Sequence, residues 1–125
     1  MQPTFLTEDF AVYGQMDAND MKAALEAGFK TIICNRPDSE DGAVPFDSLK
    51  PIAEAKNIPV IYQPVVSGAL TNDDARQLAE ILESAEKPVL AYCRSGARCT
   101  MLYDMAQAYL AIRRLHKGHL KPTPI

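Results

Sequence analysis

The side chains best suited to covalent chemistry sit in six consecutive residues, Cys93-Arg94-Ser95-Gly96-Ala97-Arg98. Pro88-Val89-Leu90-Ala91-Tyr92 before them reads as a strand, and the stretch from about Cys99 to His116 reads as a helix. A cysteine at that junction meets successive backbone N–H groups and the positive end of a helix dipole, and both favour thiolate over thiol. Arg94 and Arg98 add fixed positive charge, and Gly96 permits a tight backbone that approaches a ligand closely. A nucleophilic sulfur in such a cradle suits attack on a phosphate ester, an arsenate or a sulfane-sulfur anion such as thiosulfate. A plain core cysteine would leave the neighbouring Arg, Ser, Gly and Arg unexplained. Cys93 and Arg98 are therefore the catalytic candidates, and Arg94, Ser95, Gly96, Ala97 and Cys99 the anion-binding loop.

Asn35-Arg36-Pro37-Asp38 follows another expected strand, so Arg36 and Asp38 are expected to face the Cys93 loop, either in the chemistry or as a bracing ion pair. Ser67 lies in the loop Pro64 to Leu70. Cys34 stands in an apolar run and reads as packing. Cys99 reads as a buried structural thiol, with resolution of an oxidised Cys93 as its functional alternative. Metal chemistry is not expected, because no close cysteine pair is matched by a second ligand pair, and no cofactor is called for. His116 and His119 read as a solvated helix end and tail. Met101 and Met105, four apart on the last helix, read as core.

These residues need a scaffold of alternating strands and helices. Strands are expected at Phe10 to Tyr13, Lys30 to Asn35, Ile58 to Gln63 and Pro88 to Tyr92. Helices are expected over Met21 to Ala27, capped by Asn19 or Asp20, and over Phe46 to Lys56, capped by Asp47 or Ser48. A further helix opens at Thr71, whose hydroxyl can accept from the backbone of Asp74. This order predicts an α/β fold of three layers, with a mostly parallel sheet of four to five strands flanked by helices. Sites in such sheets form beyond the carboxyl ends of the strands. The 125 residues fit one catalytic domain over 1–117, with 118–125 as a mobile tail. A net charge of −3 and a pI near 5.3 argue against a general nucleic-acid binder. No apolar run is long enough for a membrane span. Three cysteines without a framework pattern, and a first segment unlike a signal peptide, predict a cytoplasmic protein.

From about Phe10 to Ala106 the chain resembles a bacterial family of phosphatase candidates, found as an N-terminal domain of beta-lactamase hydrolase-like proteins. The resemblance rests on three ordered blocks: Phe10-Ala11-Val12-Tyr13-Gly14-Gln15, Gly28 to Asp38, and Pro88 to Arg98. It implies a dual-specificity-phosphatase-like fold. Members are labelled both phosphatases and sulfur transferases. Cysteine phosphatases resemble one another in a histidine before the nucleophile and an arginine six positions after it. Here Tyr92 and Cys99 hold those places, and the arginine comes one earlier, as Arg98. That shorter loop resembles rhodanese-type sulfurtransferases. Dual-specificity phosphatases also place an acid about where Ser67 stands, and a serine hydroxyl is a poor proton donor. Loop and acid together rank sulfur transfer through a Cys93 persulfide first, with thiosulfate or a persulfide as donor and sulfide-oxidation enzymes as neighbours. The alternative is hydrolysis of phosphate monoesters, with Asp38 as acid. A third reading is a redox-sensing or persulfide-carrying module using Cys93 and Cys99.

Overall fold

In the computed structural model, which describes residues 1–116 and omits the His116 side chain, nine elements follow one another. They are β1 (Thr4–Thr7), β2 (Phe10–Tyr13), α1 (Ala18–Glu26), β3 (Thr31–Cys34), α2 (Phe46–Glu54), β4 (Val60–Tyr62), α3 (Asn72–Ser84), β5 (Val89–Tyr92) and α4 (Ala97–His116). The expected tail 118–125 and His119 lie outside the described residues. The strands form one sheet in the order β1-β2-β5-β3-β4. Only β1, paired with β2, is antiparallel.

Alternation along the strands builds the layers, because successive side chains leave opposite faces. Phe10, Val12, Ile33, Val89 and Ala91 join one core with Leu78 and Leu82 of α3 and Leu102, Ala106 and Leu110 of α4. Ala11, Ile32, Cys34, Leu90 and Tyr92 join the other, with Met21 and Ala24 of α1 and Phe46, Leu49 and Ala53 of α2. Thus α1 and α2 cover one face, and α3 and α4 the other. β5 is inserted between β2 and β3 and is buried throughout. The change of face occurs there, which is where such sheets open a crevice. No helix among the described residues is long and apolar enough to cross a membrane.

Several boundaries differ from expectation for local reasons. Thr71 caps α3 as its spacing predicts, with the Asp74 carboxylate answering the Thr71 N–H. The same reciprocal cap at α1 uses Asp17 and Asp20, so α1 starts earlier than the Asn19 or Asp20 cap would place it. α2 has neither Asp47 nor Ser48 as cap; Pro45 holds that place without a side-chain bond. Met101 is 58% exposed rather than core. The inner stripe of α4 runs through Leu102, Ala106 and Leu110, and Met101 lies about 100° off it. Met105 is half-buried against the cluster.

Candidate active site

The parallel strands end level. Tyr92 is in register with Tyr13 on one side and Cys34 on the other, and Cys34 with Tyr62. Their loops therefore leave the sheet side by side. The Cys93 N–H donates to Tyr13 O at 3.3 Å, the Gln15 N–H to Arg94 O at 3.2 Å, and the Asn35 N–H to Tyr92 O at 2.8 Å. The approach is tight at Gly14, where a Cβ would lie 3.1 Å from Arg94 O and push the loop back by a few tenths of an ångström. Gly96 has φ +92°, which a glycine adopts without strain. That conformation sends its N–H to Cys93 Sγ at 3.1 Å.

Cys93 is buried, with only 1% of its surface exposed, at the base of a cleft of about 640 Å³. Its thiol pKa is lowered to about 5. The largest cause is a hydrogen bond from the Cys99 thiol; burial opposes it, and the backbone N–H groups of Cys99, Ser95 and Gly96 add to it. The two arginines expected to contribute are not among these causes. The Cys99 thiol is itself pushed well up by burial and by the neighbouring sulfur. Cys99 is buried, as its reading as a structural thiol expected, and its thiol keeps its proton as the hydrogen-bond donor to the Cys93 sulfur. Cys93 should be alkylated by iodoacetamide with a midpoint near pH 5. In Cys99→Ala the midpoint should move toward the free-thiol value near about 8.5. An unchanged midpoint would remove Cys99 from this role. Cys34 remains a packing residue; it is buried, its thiol faces Arg36 O at 3.4 Å, and burial pushes its pKa up.

The cleft is lined by Arg36, Glu40, Asp41, Ser67, Cys93 and the loop residues Arg94, Ser95, Ala97 and Arg98. Arg98 is 8% exposed. It donates through Nη1 to Val65 O at 3.0 Å and Glu40 Oε2 at 2.9 Å, and through Nη2 to Glu40 Oε1 at 3.2 Å. Its Nε is buried with no acceptor among the described residues. Arg36 reaches Glu40 Oε1 at 3.1 Å through Nε, Gln15 Oε1 at 3.0 Å and Asp41 O at 2.6 Å. One carboxylate therefore serves two buried guanidinium groups. The Arg98 bond, followed by the charge of Arg98 and then Arg36, holds Glu40 below its ordinary carboxylate range despite partial burial.

Glu40 escaped the sequence reading, although it lies in the acidic stretch Asp38-Ser39-Glu40-Asp41. Nothing in the spacing says which carboxylate of that stretch turns inward. Asp38 does not line the cleft. Its Oδ1 accepts the Phe46 N–H at 2.9 Å and so caps α2, while its own N–H donates to the Tyr62 hydroxyl at 2.9 Å. The carboxylates at the cleft are Glu40 and Asp41, the latter exposed. Arg94 and Ser67 are exposed at its rim. Ser95 Oγ accepts the Ala97 N–H at 3.4 Å at the start of α4. The arrangement can hold a tetrahedral anion against a thiolate.

Residues 3–110 match the family described as the phosphatase-like domain of beta-lactamase hydrolase-like protein. A beta-lactamase hydrolase-like protein of Agrobacterium fabrum is 31% identical over 109 residues, which is 86% of this chain and 25% of that protein. The chain thus spans about a quarter of the length of the curated relatives it matches. Among solved structures, a phosphatase candidate of Neisseria meningitidis Z2491 is 32% identical with a TM-score of 0.72, covering 94% of this chain and 78% of that one. The catalytic core of the S. cerevisiae PP-IP phosphatase has a TM-score of 0.61 at 14% identity, covering 86% of this chain and 75% of that one. The architecture is that of the protein-tyrosine and dual-specificity phosphatases, as the resemblance implied. The sulfur-transfer reading, ranked first on loop length and the missing acid, finds no support in these relatives, whereas its phosphatase alternative does. From the first turn of α4, Arg98 reaches the cleft wall at Val65 O. Matched along nearly its whole length and folded accordingly, this chain belongs to the family of phosphatase-like domains of beta-lactamase hydrolase-like proteins.

Proposed function

We propose that the protein hydrolyses phosphate monoesters through a Cys93 phosphocysteine. The observation that carries this reading is the Cys93 thiolate, lowered to about 5 and set under the Gly96 amide in a cleft with Arg98. The buried Arg98 Nε supports it further, since a phosphoryl oxygen is an acceptor that would satisfy this N–H. Cys93 Sγ attacks phosphorus, and the bond to the ester oxygen breaks. Arg98 and the loop amides hold the phosphoryl oxygens as charge builds on them. The departing alkoxide needs a proton. Glu40 is poorly placed to give one, because two arginines keep it ionised. Asp38 is occupied in capping α2. Asp41, exposed at the cleft, is the carboxyl that donates. It then takes a proton from the water that cleaves the S–P bond, which releases phosphate and restores the thiolate. The three described cysteines are unpaired, which suits a reducing, cytoplasmic setting.

Purified protein given p-nitrophenyl phosphate should release phosphate. With thiosulfate plus cyanide it should form little thiocyanate. Mass spectrometry of quenched reactions should find Cys93 heavier by about 80 Da, a phosphoryl group, rather than by about 32 Da, a sulfur atom. Brisk thiocyanate formation without phosphate release would reverse the reading. Asp41→Asn should slow poor leaving groups about 10²-fold or more and good ones far less. An equal loss for both would remove Asp41 as the acid. The sulfide-oxidation neighbours expected above rested on sulfur transfer and are not part of this proposal.

A further inference from the structure

We infer that Arg94 reads a second anionic group on the substrate, so that the preferred esters are small, hydrophilic bis-anions rather than aryl phosphates; the inference rests on the phosphatase reading. Three arginines line the cleft, and they are not equivalent. Arg36 and Arg98 are buried and share the Glu40 carboxylate. Arg94 is exposed, and its guanidinium has no hydrogen-bond or ion-pair partner among the described residues. Its backbone is fixed all the same, because its carbonyl accepts the Gln15 N–H and packs against Gly14. A guanidinium on an anchored backbone, next to the nucleophile, has its donors free for a ligand. Its planar fork matches a phosphate or carboxylate in two-point contact.

The rest of the lining points to the same class of ligand. Pockets for drug-like or aromatic ligands are mostly apolar. Here the rim offers Arg94, Ser95, Ser67 and Asp41, and no aromatic side chain among the described residues lines the cleft. An aryl ring on the scissile phosphate would find no face to stack on. At about 640 Å³ the cleft exceeds the needs of one phosphoryl group. A second phosphate or carboxylate a few bonds from the first would fill that space and meet Arg94.

The test uses matched probes, 2-hydroxyethyl phosphate and 1,2-ethanediol bisphosphate, which differ only in the second phosphate. The bisphosphate should have the higher kcat/KM by about 10–100-fold, as expected for one charge-assisted contact at a partly exposed site. The ratio should fall as salt is raised. Arg94→Gln should remove most of the ratio, and Arg94→Lys should restore part of it. Equal kcat/KM for the two esters, or a preference that survives Arg94→Gln, would overturn the inference. Calorimetry of both probes on Cys93→Ser reads the same preference without turnover. Bisphosphate selectivity there, lost in Cys93→Ser/Arg94→Gln, with no hydrolysis by the wild type, would sink the phosphatase reading and leave the Arg94 assignment standing. Hydrolysis without selectivity would do the reverse.

Discussion

Cys93→Ser should abolish phosphate release, a loss of roughly 10⁴–10⁶-fold in kcat of the size seen when a nucleophile is removed from a covalent mechanism. A serine hydroxyl ionises far above the pH range in which the Cys93 thiolate exists, and the Gly96 N–H and Cys99 thiol that stabilise the sulfur anion cannot close that gap. The change is nearly isosteric, so the fold should persist, and circular dichroism should overlay the wild type. The quenched phosphoryl adduct should vanish with the activity. Cys34→Ala is the control. Cys34 is a buried strand residue on the α1–α2 face, and its loss should cost stability through a small cavity while leaving kcat/KM within about threefold. Turnover in Cys93→Ser at even a hundredth of the wild-type rate would defeat the covalent mechanism. The pH profile belongs to the same prediction. With the thiol lowered to about 5, kcat/KM for p-nitrophenyl phosphate should rise through pH 5 as the thiolate forms. In Cys99→Ala that limb should move upward together with the alkylation midpoint.

Arg98→Lys should lower kcat/KM by about 10²–10³-fold, the scale of losing a fixed donor aimed at developing oxyanion charge. Lysine keeps the charge but not the fork, so it cannot serve Glu40 and Val65 O and still present an Nε-type donor. The loss should appear in kcat as well as KM, because phosphoryl charge is redistributed in the transition state. A change confined to KM would demote Arg98 to ground-state binding. The variant also has a pH signature in stability. Glu40 is held below the ordinary carboxylate value of 4.5, so its pairing contributes stability in full above that value. That contribution is lost as pH falls through the lowered value. The urea midpoint of wild type should therefore exceed that of Arg98→Lys at pH 7, and the gap should narrow on going to strongly acidic solution. A gap that stays constant with pH would mean that the pair adds no charge-dependent stability.

Much of this could be read along the chain because it depends on neighbours in sequence. Thr71 and Asp74 cap α3 through groups three residues apart, and Thr31-Ile32-Ile33-Cys34 is buried throughout, as a continuous apolar run in a central parallel strand must be. The amide cradle at the strand–Cys–helix junction was legible because it is local; Gly96 is three residues from the sulfur it bonds. Edge strand β1 was not legible. Thr4-Phe5-Leu6-Thr7 is mostly exposed, and its pairing with Phe10 to Val12 is what makes it a strand.

The sequence by itself determined the alternating elements, the end of the sheet at which their loops would meet, and the cysteine with its amide cradle. These follow from backbone hydrogen bonding and apolar periodicity within short stretches of chain. Only the tertiary structure decided which polar side chains face that sulfur. Glu40 meets Arg98 across 58 positions, and Val65 meets it across 33. Asp38 turns away to the N–H of Phe46 while Glu40 and Asp41 line the cleft. In an acidic stretch of three carboxylates, composition is the same whichever one turns inward. The choice was made by the orphan N–H at the start of α2 on one side and two buried guanidinium groups on the other. Each captured the carboxylate within its reach once the sheet had brought the loops together.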